Sequence, residues 1–522
     1  MPKDYVIAIG GTGARCMEAT IHLAAAGMFS RPLHLLMIDP DQNNGNSVRT
    51  KNLLPMYHAL HRCDQPRDIK QRKLLTRGKG PQQQTVFGPA INLNTHNPAE
   101  QYPAFWQDPN KPDREFREAI GYSGLSANFQ DFVQLFYEHS DLGMRLGKGY
   151  RGRPNVGSVV LISDLKRTIG RKGNGLSELI ESMKADLKSD IVRVFVFGSV
   201  FGGTGAAGIP TIPELLREFF EENGANNKLR LGCTMMTPYF TFPKADTSNR
   251  EGPAPDPNIH QVATQAALLH YAHVPPGYQH VYVVGAPELA SSKVGHQAGG
   301  GAQENDPHFA EIIAAFGARD FFSLPQIDPE ERQLHYADAT HFDWKSIPAV
   351  DGSATDQLAI KQRLLAFTTF AYLYRNILYA DLKDGNWRSK QAWYKDNFLK
   401  QNLNLENYGK ELDLLNEFLG EYLKWLDSVG QPIRGEQLRP FNWEAMALTG
   451  AAAERELGKL STQESEETPR YTANPYGRIV EKLSYMRPRY SNNVHPVGLL
   501  MYLLYEASRE FTIENYYLSA AN

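Results

Sequence analysis

The sequence predicts an α/β protein: a doubly wound, mostly parallel sheet over residues 1–325, followed by a mainly helical region over residues 326–522. Three observations predict it. Short apolar runs alternate with helical stretches through residue 322, the rhythm of βαβ units. Several of the runs end directly in glycine-rich turns. After about residue 350 the alternation stops and helical spacing takes over.

The clearest unit is Val192–Ile212, VRVFVFGSVFGGTGAAGIPTI. Val192, Val194, Phe195, Val196 and Phe197 read as a buried parallel strand. Gly202-Gly203-Thr204-Gly205-Ala206-Ala207-Gly208 then breaks the run. An amphipathic helix is expected to start after the turn, near Pro213, and to carry Leu215, Leu216, Phe219 and Phe220 on one side. A strand, a glycine turn and a helix N-terminus together make an anion site. Glycines let backbone N–H groups approach phosphate oxygens, and the helix dipole favours negative charge. Tight turns use glycine too, so one loop alone is weak.

The other elements follow in order. Tyr5–Ile9 reads as a strand, and Gly10-Gly11-Thr12-Gly13 turns it into a helix over Ala14–Ala26. The spacing is not the G-x-G-x-x-G of dinucleotide folds. Strand Leu33–Ile38 ends in Asp39-Pro40-Asp41-Gln42-Asn43. An acidic residue there can hold a ribose or a magnesium ion, or simply cap a polar turn. Residues 44–146 read as a long insertion with short helices at Glu115–Ile120 and Phe129–Phe136. Its basic stretch, Arg62–Arg77, is expected to be a solvated helix face.

A second glycine loop, Gly147–Gly157, carries Lys148, Arg151 and Arg153 and precedes the largely helical Ser158–Ser189. Such a loop suits a polyphosphate or a surface excursion. Strand Leu229–Met236, the stretch Thr237–Phe242, helix Ile259–Ala272, strand His280–Val284 and helix Pro307–Phe322 complete the alternation. Helices are expected at Ala359–Leu382, Gln391–Phe398, Glu411–Leu426, Trp443–Leu457 and Pro496–Ser508. The dense aromatic residues there, including Phe367, Phe370, Tyr372, Tyr374 and Trp393, read as core.

Composition sets the frame. The 522 residues carry a net charge of −3, which gives no electrostatic reason to expect nucleic acid or an acidic membrane as the main partner. Three cysteines, Cys16, Cys63 and Cys233, lack metal-ligand spacing and fit a reducing compartment. The chain opens into a strand without a signal-like segment, and no apolar run reaches the roughly 20 residues that span a bilayer. A cytoplasmic protein is expected.

In this order, the loops resemble the tubulin/FtsZ superfamily, most closely its divergent bacterial tubulin-like proteins. GGTGAAG is similar to the signature GGTG followed by a hydroxyl residue and glycine. It departs by placing Ala206 and Ala207 there, with Gly208 one position late. The first turn matches the pattern G-x-x-G at Gly10 and Gly13. GKGYRGRPNVG aligns with GxGAGxNPxxG at Gly147, Gly149, Pro154 and Gly157. TPYFTF resembles TKPFxF at Thr237, Phe240 and Phe242, and AFGARDFF resembles AFGAANDVL.

The resemblance implies a tubulin/FtsZ-like GTPase domain binding GTP or GDP with Mg2+. Gly10, Gly11, Thr12, Gly13 and Arg15 would meet the phosphates from one side, and Gly202, Gly203, Thr204 and Gly205 from the other. Gly149 and Arg151 would lie near the γ-phosphate, and Asp39 or Asp41 would help to hold magnesium. Asp320 falls where the family reads the base, and a carboxylate there can accept from guanine N1–H and N2–H₂; otherwise it is an ordinary helix-surface or capping carboxylate.

The resemblance also implies self-association, with nucleotide-dependent polymerisation and slow hydrolysis completed between subunits. The family's acidic loop, NxDFAD, has no clean copy. Asp343 in Thr340–Trp344 is the candidate catalyst, with Asp338 behind it, though both also read as structural turn carboxylates. A nucleotide-binding scaffold that does not hydrolyse, acting within a larger complex, is one alternative. A dinucleotide-dependent oxidoreductase built on Gly10–Gly13 and Asp39 is another.

Overall fold

The computed structural model describes residues 1–41, 43–64, 86–88, 91–92, 105–106, 113–171, 175–221, 226–241, 257–286, 290–291, 303–336, 349, 353–430, 441–461, 469–471, 473–486, 494–516 and 518. The chain forms two compact units. The first comprises Met1–Thr20, Arg31–Asn52 and Ile91–Thr340; the second comprises Ile21–Ser30, Leu53–Ala90 and His341–Asn522. This differs from the expected single cut near residue 325, because two N-terminal segments join the C-terminal unit.

The first unit is built on a parallel sheet whose six longer strands are β1 (Lys3–Ile9), β2 (Leu33–Ile38), β3 (Val192–Ser199), β4 (Leu229–Met236), β5 (His280–Val284) and β6 (Gln333–Tyr336). Their order is β6-β5-β4-β3-β1-β2, and two-residue strands at Ile91–Asn92 and Phe105–Trp106 pair with β2. The expected doubly wound α/β architecture is observed. Strands β3 and β4 are buried along their whole length and mostly apolar, each with one arginine, Arg193 and Arg230, at its second position.

Alternate residues of each strand face two helical layers. Tyr5, Ile7, Ile9, Val192, Val194 and Val196 meet one layer in a single core. This layer consists of α3 (Pro154–Thr168), α4 (Gly175–Leu187) and α5 (Thr204–Glu221). Phe195 faces the other way, against Phe321 of α7 (Phe309–Ser323). The same face receives the start of α1 (Gly10–Ala25), where a Cβ on Gly13 would sit 2.8 Å from the Phe197 carbonyl oxygen.

Helix α5 begins at Thr204, nine residues before the expected start at Pro213, so the later half of the glycine turn is helical. Pro210 and Pro213 lie inside it. A proline cannot donate to the carbonyl four residues back. For Pro213 that carbonyl is Ile209, and the Tyr278 hydroxyl donates to it instead at 2.7 Å. The remaining helices of this unit are the N-terminal part of α2 (Gly45–Asp64), α6 (Pro257–His273) and short pieces in the 113–148 region.

The second unit is mainly helical in its described residues, with one antiparallel bridge between Phe441 and Ser461. Its helices include α8 (Ala354–Tyr372), α9 (Gly409–Gly430), α10 (Pro475–Tyr485) and α11 (Pro496–Asn515). Phe367, Phe370, Tyr372, Tyr374 and Trp393 are buried, so they are core, as expected. The expected helix Trp443–Leu457 is broken into Trp443–Met446 and Gly450–Glu456, and α10 is additional. No helix among the described residues is long and apolar enough to cross a membrane.

Candidate functional site

From β1 the chain proceeds to β2 on one side; from β3 it proceeds to β4 on the other. The strand order therefore reverses between β1 and β3. In open α/β sheets that reversal opens a crevice beyond the carboxyl ends of the strands. Gly10–Gly13, expected to precede the helix at Ala14, form the first turn of α1, and Gly202–Gly203 lead into the start of α5 at Thr204; both stretches lie there, with first helical N–H groups that have no intrahelical acceptor.

The loops touch. Gly10 has φ +69°, a left-handed value that glycine adopts without steric cost. A Cβ on it would stand 3.1 Å from Thr204 Cβ and 3.4 Å from the Gly205 nitrogen. On Gly203 it would stand 2.9 Å from the Gly152 nitrogen and from the Tyr150 carbonyl carbon. On Gly149, where φ is +76°, it would lie 3.6 Å from Thr204 Oγ1. Three glycine turns distant in sequence thus meet around Thr204.

Two further glycines make the approach possible. A Cβ on Gly157 would collide with Ala207 and Tyr150, so α3 crosses α5 closely there. One on Gly208 would come within 2.6 Å of Ile9 Cδ1. The late glycine of GGTGAAG is where α5 rests on the end of β1. Arg151, in the second loop, has φ +43°, which is uncommon for a residue with a side chain.

The segment after β2 forms a fourth wall. The Asp41 N–H donates to Asp39 Oδ1 (3.1 Å), the Asn43 N–H to Asp41 Oδ1 (3.1 Å) and the Asn46 N–H to Asn44 Oδ1 (3.0 Å). These successive Asx turns wind the chain past Gly11, whose Cβ would sit 3.2 Å from Asn44 Nδ2. Asn44 and Asn46 donate in turn to the Oε1 and main-chain oxygen of Gln303, both at 3.1 Å. Asn44, Asn46 and Gln303 were missed by sequence reasoning; the signal was the run of Asp and Asn residues at two-residue spacing.

Asp39 is buried and also accepts from Ser47 Oγ at 3.2 Å. Burial pushes its pKa up to about 7, against the opposing hydrogen bond from Asp41. Lys51 feels the charge of both Asp39 and Asp41, and Tyr150 feels that of Asp39. Among the described residues no group of three or more His, Cys, Asp or Glu could hold a metal ion. Two carboxylates do fit magnesium bound beside a phosphate chain, because such an ion takes most of its ligands from phosphate and water.

Two expected ligands have partners within the protein. Arg15 is fully buried and paired with Glu311, Nε to Oε1 2.9 Å, on the face of the sheet covered by α7. It also donates to the Tyr239 hydroxyl, which donates to Glu311 at 2.8 Å. Asp320 sits near the end of α7 and accepts from the Tyr282 hydroxyl at 2.6 Å. Tyr282 belongs to β5, three strands from β1 in the sheet, and stacks on His335 at 4.3 Å. Arg15 is thereby committed to a buried ion pair, and Asp320 to a hydrogen bond with β5. Asp343, Asp338 and Phe242 lie outside the described residues.

The fold and loops define a class: a parallel α/β sheet with a cradle of backbone amides and glycines at its reversal point. No protein-family model and no curated protein matches the chain.

Proposed function

We propose that the first unit binds a nucleoside polyphosphate, with GTP or GDP as the ligand. The observation that supports this best is the meeting of three glycine turns around Thr204 where the strand order reverses. A phosphate chain needs many N–H donors close together, and glycine turns followed by helices supply them without desolvating side chains. Gly10, Gly11, Thr12 and Gly13 hold the chain from one side and Gly202, Gly203, Thr204 and Gly205 from the other. Gly149 and Arg151 close it at the end. Asp39 and Asp41 hold magnesium, which neutralises phosphate charge.

The choice of guanine, membership of the tubulin/FtsZ superfamily, self-association and hydrolysis between subunits rest on the resemblance of the loops. Arg15 acts here as a positioning residue, fixing α1 through Glu311 behind the turn. The oxidoreductase alternative gives no role to the second glycine loop seated on Gly203.

Calorimetric titration of the full-length protein with GTP, ATP and NADH in the presence of magnesium tests the proposal. Saturable GTP binding, weaker ATP binding and no NADH binding support it. NADH binding without GTP binding would sink it.

A further inference from the structure

The short helix Ala127–Gln134, in the first unit, turns much of its apolar surface to solvent. Gln130 and Val133 of the helix and Tyr137 just beyond it are half-buried, and the last two pack on the core. Phe129, Phe132, Leu135 and Phe136 are 62%, 55%, 79% and 62% exposed. Phe132 and Phe136, one turn apart, meet edge to face with centroids 5.2 Å apart. Three phenylalanines and a leucine within eight residues leave large apolar side chains exposed, and exposed apolar clusters of this kind mark interaction sites. A merely solvated helix carries charged residues on that face.

Along the chain, the charges that flank these residues are acidic. Between Arg117 and Arg145 there is no lysine or arginine, whereas Glu118, Asp131, Glu138 and Asp141 all occur. Glu118, Asp131 and Glu138 are exposed, and Asp141 pairs with Arg153. The two bounding cations are themselves paired, Arg117 with Glu115 and Arg145 with Asp113. A second copy meeting this face by twofold symmetry would set acid against acid. An anionic lipid surface would be repelled in the same way. A helix whose apolar stripe is flanked by lysine or arginine is matched on both counts.

We infer that Phe129, Phe132, Leu135 and Phe136 form the docking surface for a basic amphipathic helix of a partner protein. Its apolar stripe sits on the phenylalanines, and its cations face Asp131, Glu138 and Glu118.

The test uses full-length protein and two fluorescein-labelled synthetic helices with the same leucine stripe, one flanked by lysine and one by glutamate. Fluorescence anisotropy should show saturable binding of the lysine helix, weakened at least tenfold in F132S/F136S and at raised salt. The glutamate helix should bind at least tenfold more weakly. Far-UV circular dichroism checks that F132S/F136S is folded, and D131K/E138K should reverse the preference between the helices. Equal binding of both helices, or lysine-helix binding unchanged by F132S/F136S and D131K/E138K, would overturn the inference. So would sedimentation showing self-association that F132S/F136S abolishes, or phosphatidylserine-vesicle binding that it abolishes. Those results would assign the patch to a second copy or to a membrane.

Discussion

Gly203 lies so close to the second glycine loop that a methyl group on it would stand 2.9 Å from the Tyr150 carbonyl carbon and 3.1 Å from the Arg151 nitrogen. Both neighbours are backbone, so neither can rotate away. Gly203→Ala must part the two loops. We expect it to weaken GTP binding at least tenfold by calorimetry while far-UV circular dichroism stays unchanged. Gly124→Ala is the control, because its Cβ would meet nothing within 4 Å. It should bind GTP like the parent.

Asp39 supplies a pH signature. Its folded pKa, about 7, lies above the ordinary value of 3.8. The native state therefore binds more protons than the unfolded chain between those values, and Asp39 costs stability as pH rises from about 4 to 7. Magnesium needs the ionised form. Its affinity, measured with GTP present, should rise about tenfold from pH 6 to pH 8, with proton uptake or release tracked in buffers of different ionisation enthalpy. Asp39→Asn should flatten the profile. A slope unchanged in that variant would remove Asp39 from the metal site.

Arg15 and Glu311 separate structure from ligand binding. Removing one member of a buried pair leaves the other charge without compensation, a loss of about 3–5 kcal/mol. Arg15→Met should lower denaturant stability by that order. If Arg15 held phosphate instead, the variant would lose GTP affinity with little change in stability.

Tyr278 is predicted to compensate for Pro213. Tyr278→Phe leaves the Ile209 carbonyl without its donor and should cost about 1–3 kcal/mol in denaturant unfolding. In a Pro213→Ala background a helical N–H is restored, and the cost should shrink. Additive effects across that double-mutant cycle would contradict the compensation.

These residues also mark what could be read from the sequence. Strands Leu33–Ile38, Leu229–Met236 and His280–Val284 have the expected limits because burial within the sheet leaves predominantly apolar runs. The glycine turns were legible because backbone sign and close approach exclude other residues at Gly10 and Gly203. The start of α5 was not: prolines read locally as a break, and Tyr278, which removes the penalty, lies far along the chain. Arg15 beside a glycine turn reads as a phosphate ligand until Glu311 is brought against it. That Tyr282 donates to Asp320 could not be read from the sequence, because the two lie 38 residues apart. Nor does the periodicity of α1 and α2 reveal that Ile21–Ser30 and Leu53–Ala90 belong with the second unit.

The most direct test of the central claim is calorimetric titration of nucleotide-free protein with GTP and magnesium, run beside Gly203→Ala and Asp320→Asn. One GTP per chain, binding lost at least tenfold in Gly203→Ala and retained in Asp320→Asn, is the predicted result. No heat with GTP, or binding that Gly203→Ala leaves untouched, would contradict a phosphate site at the meeting of the three turns.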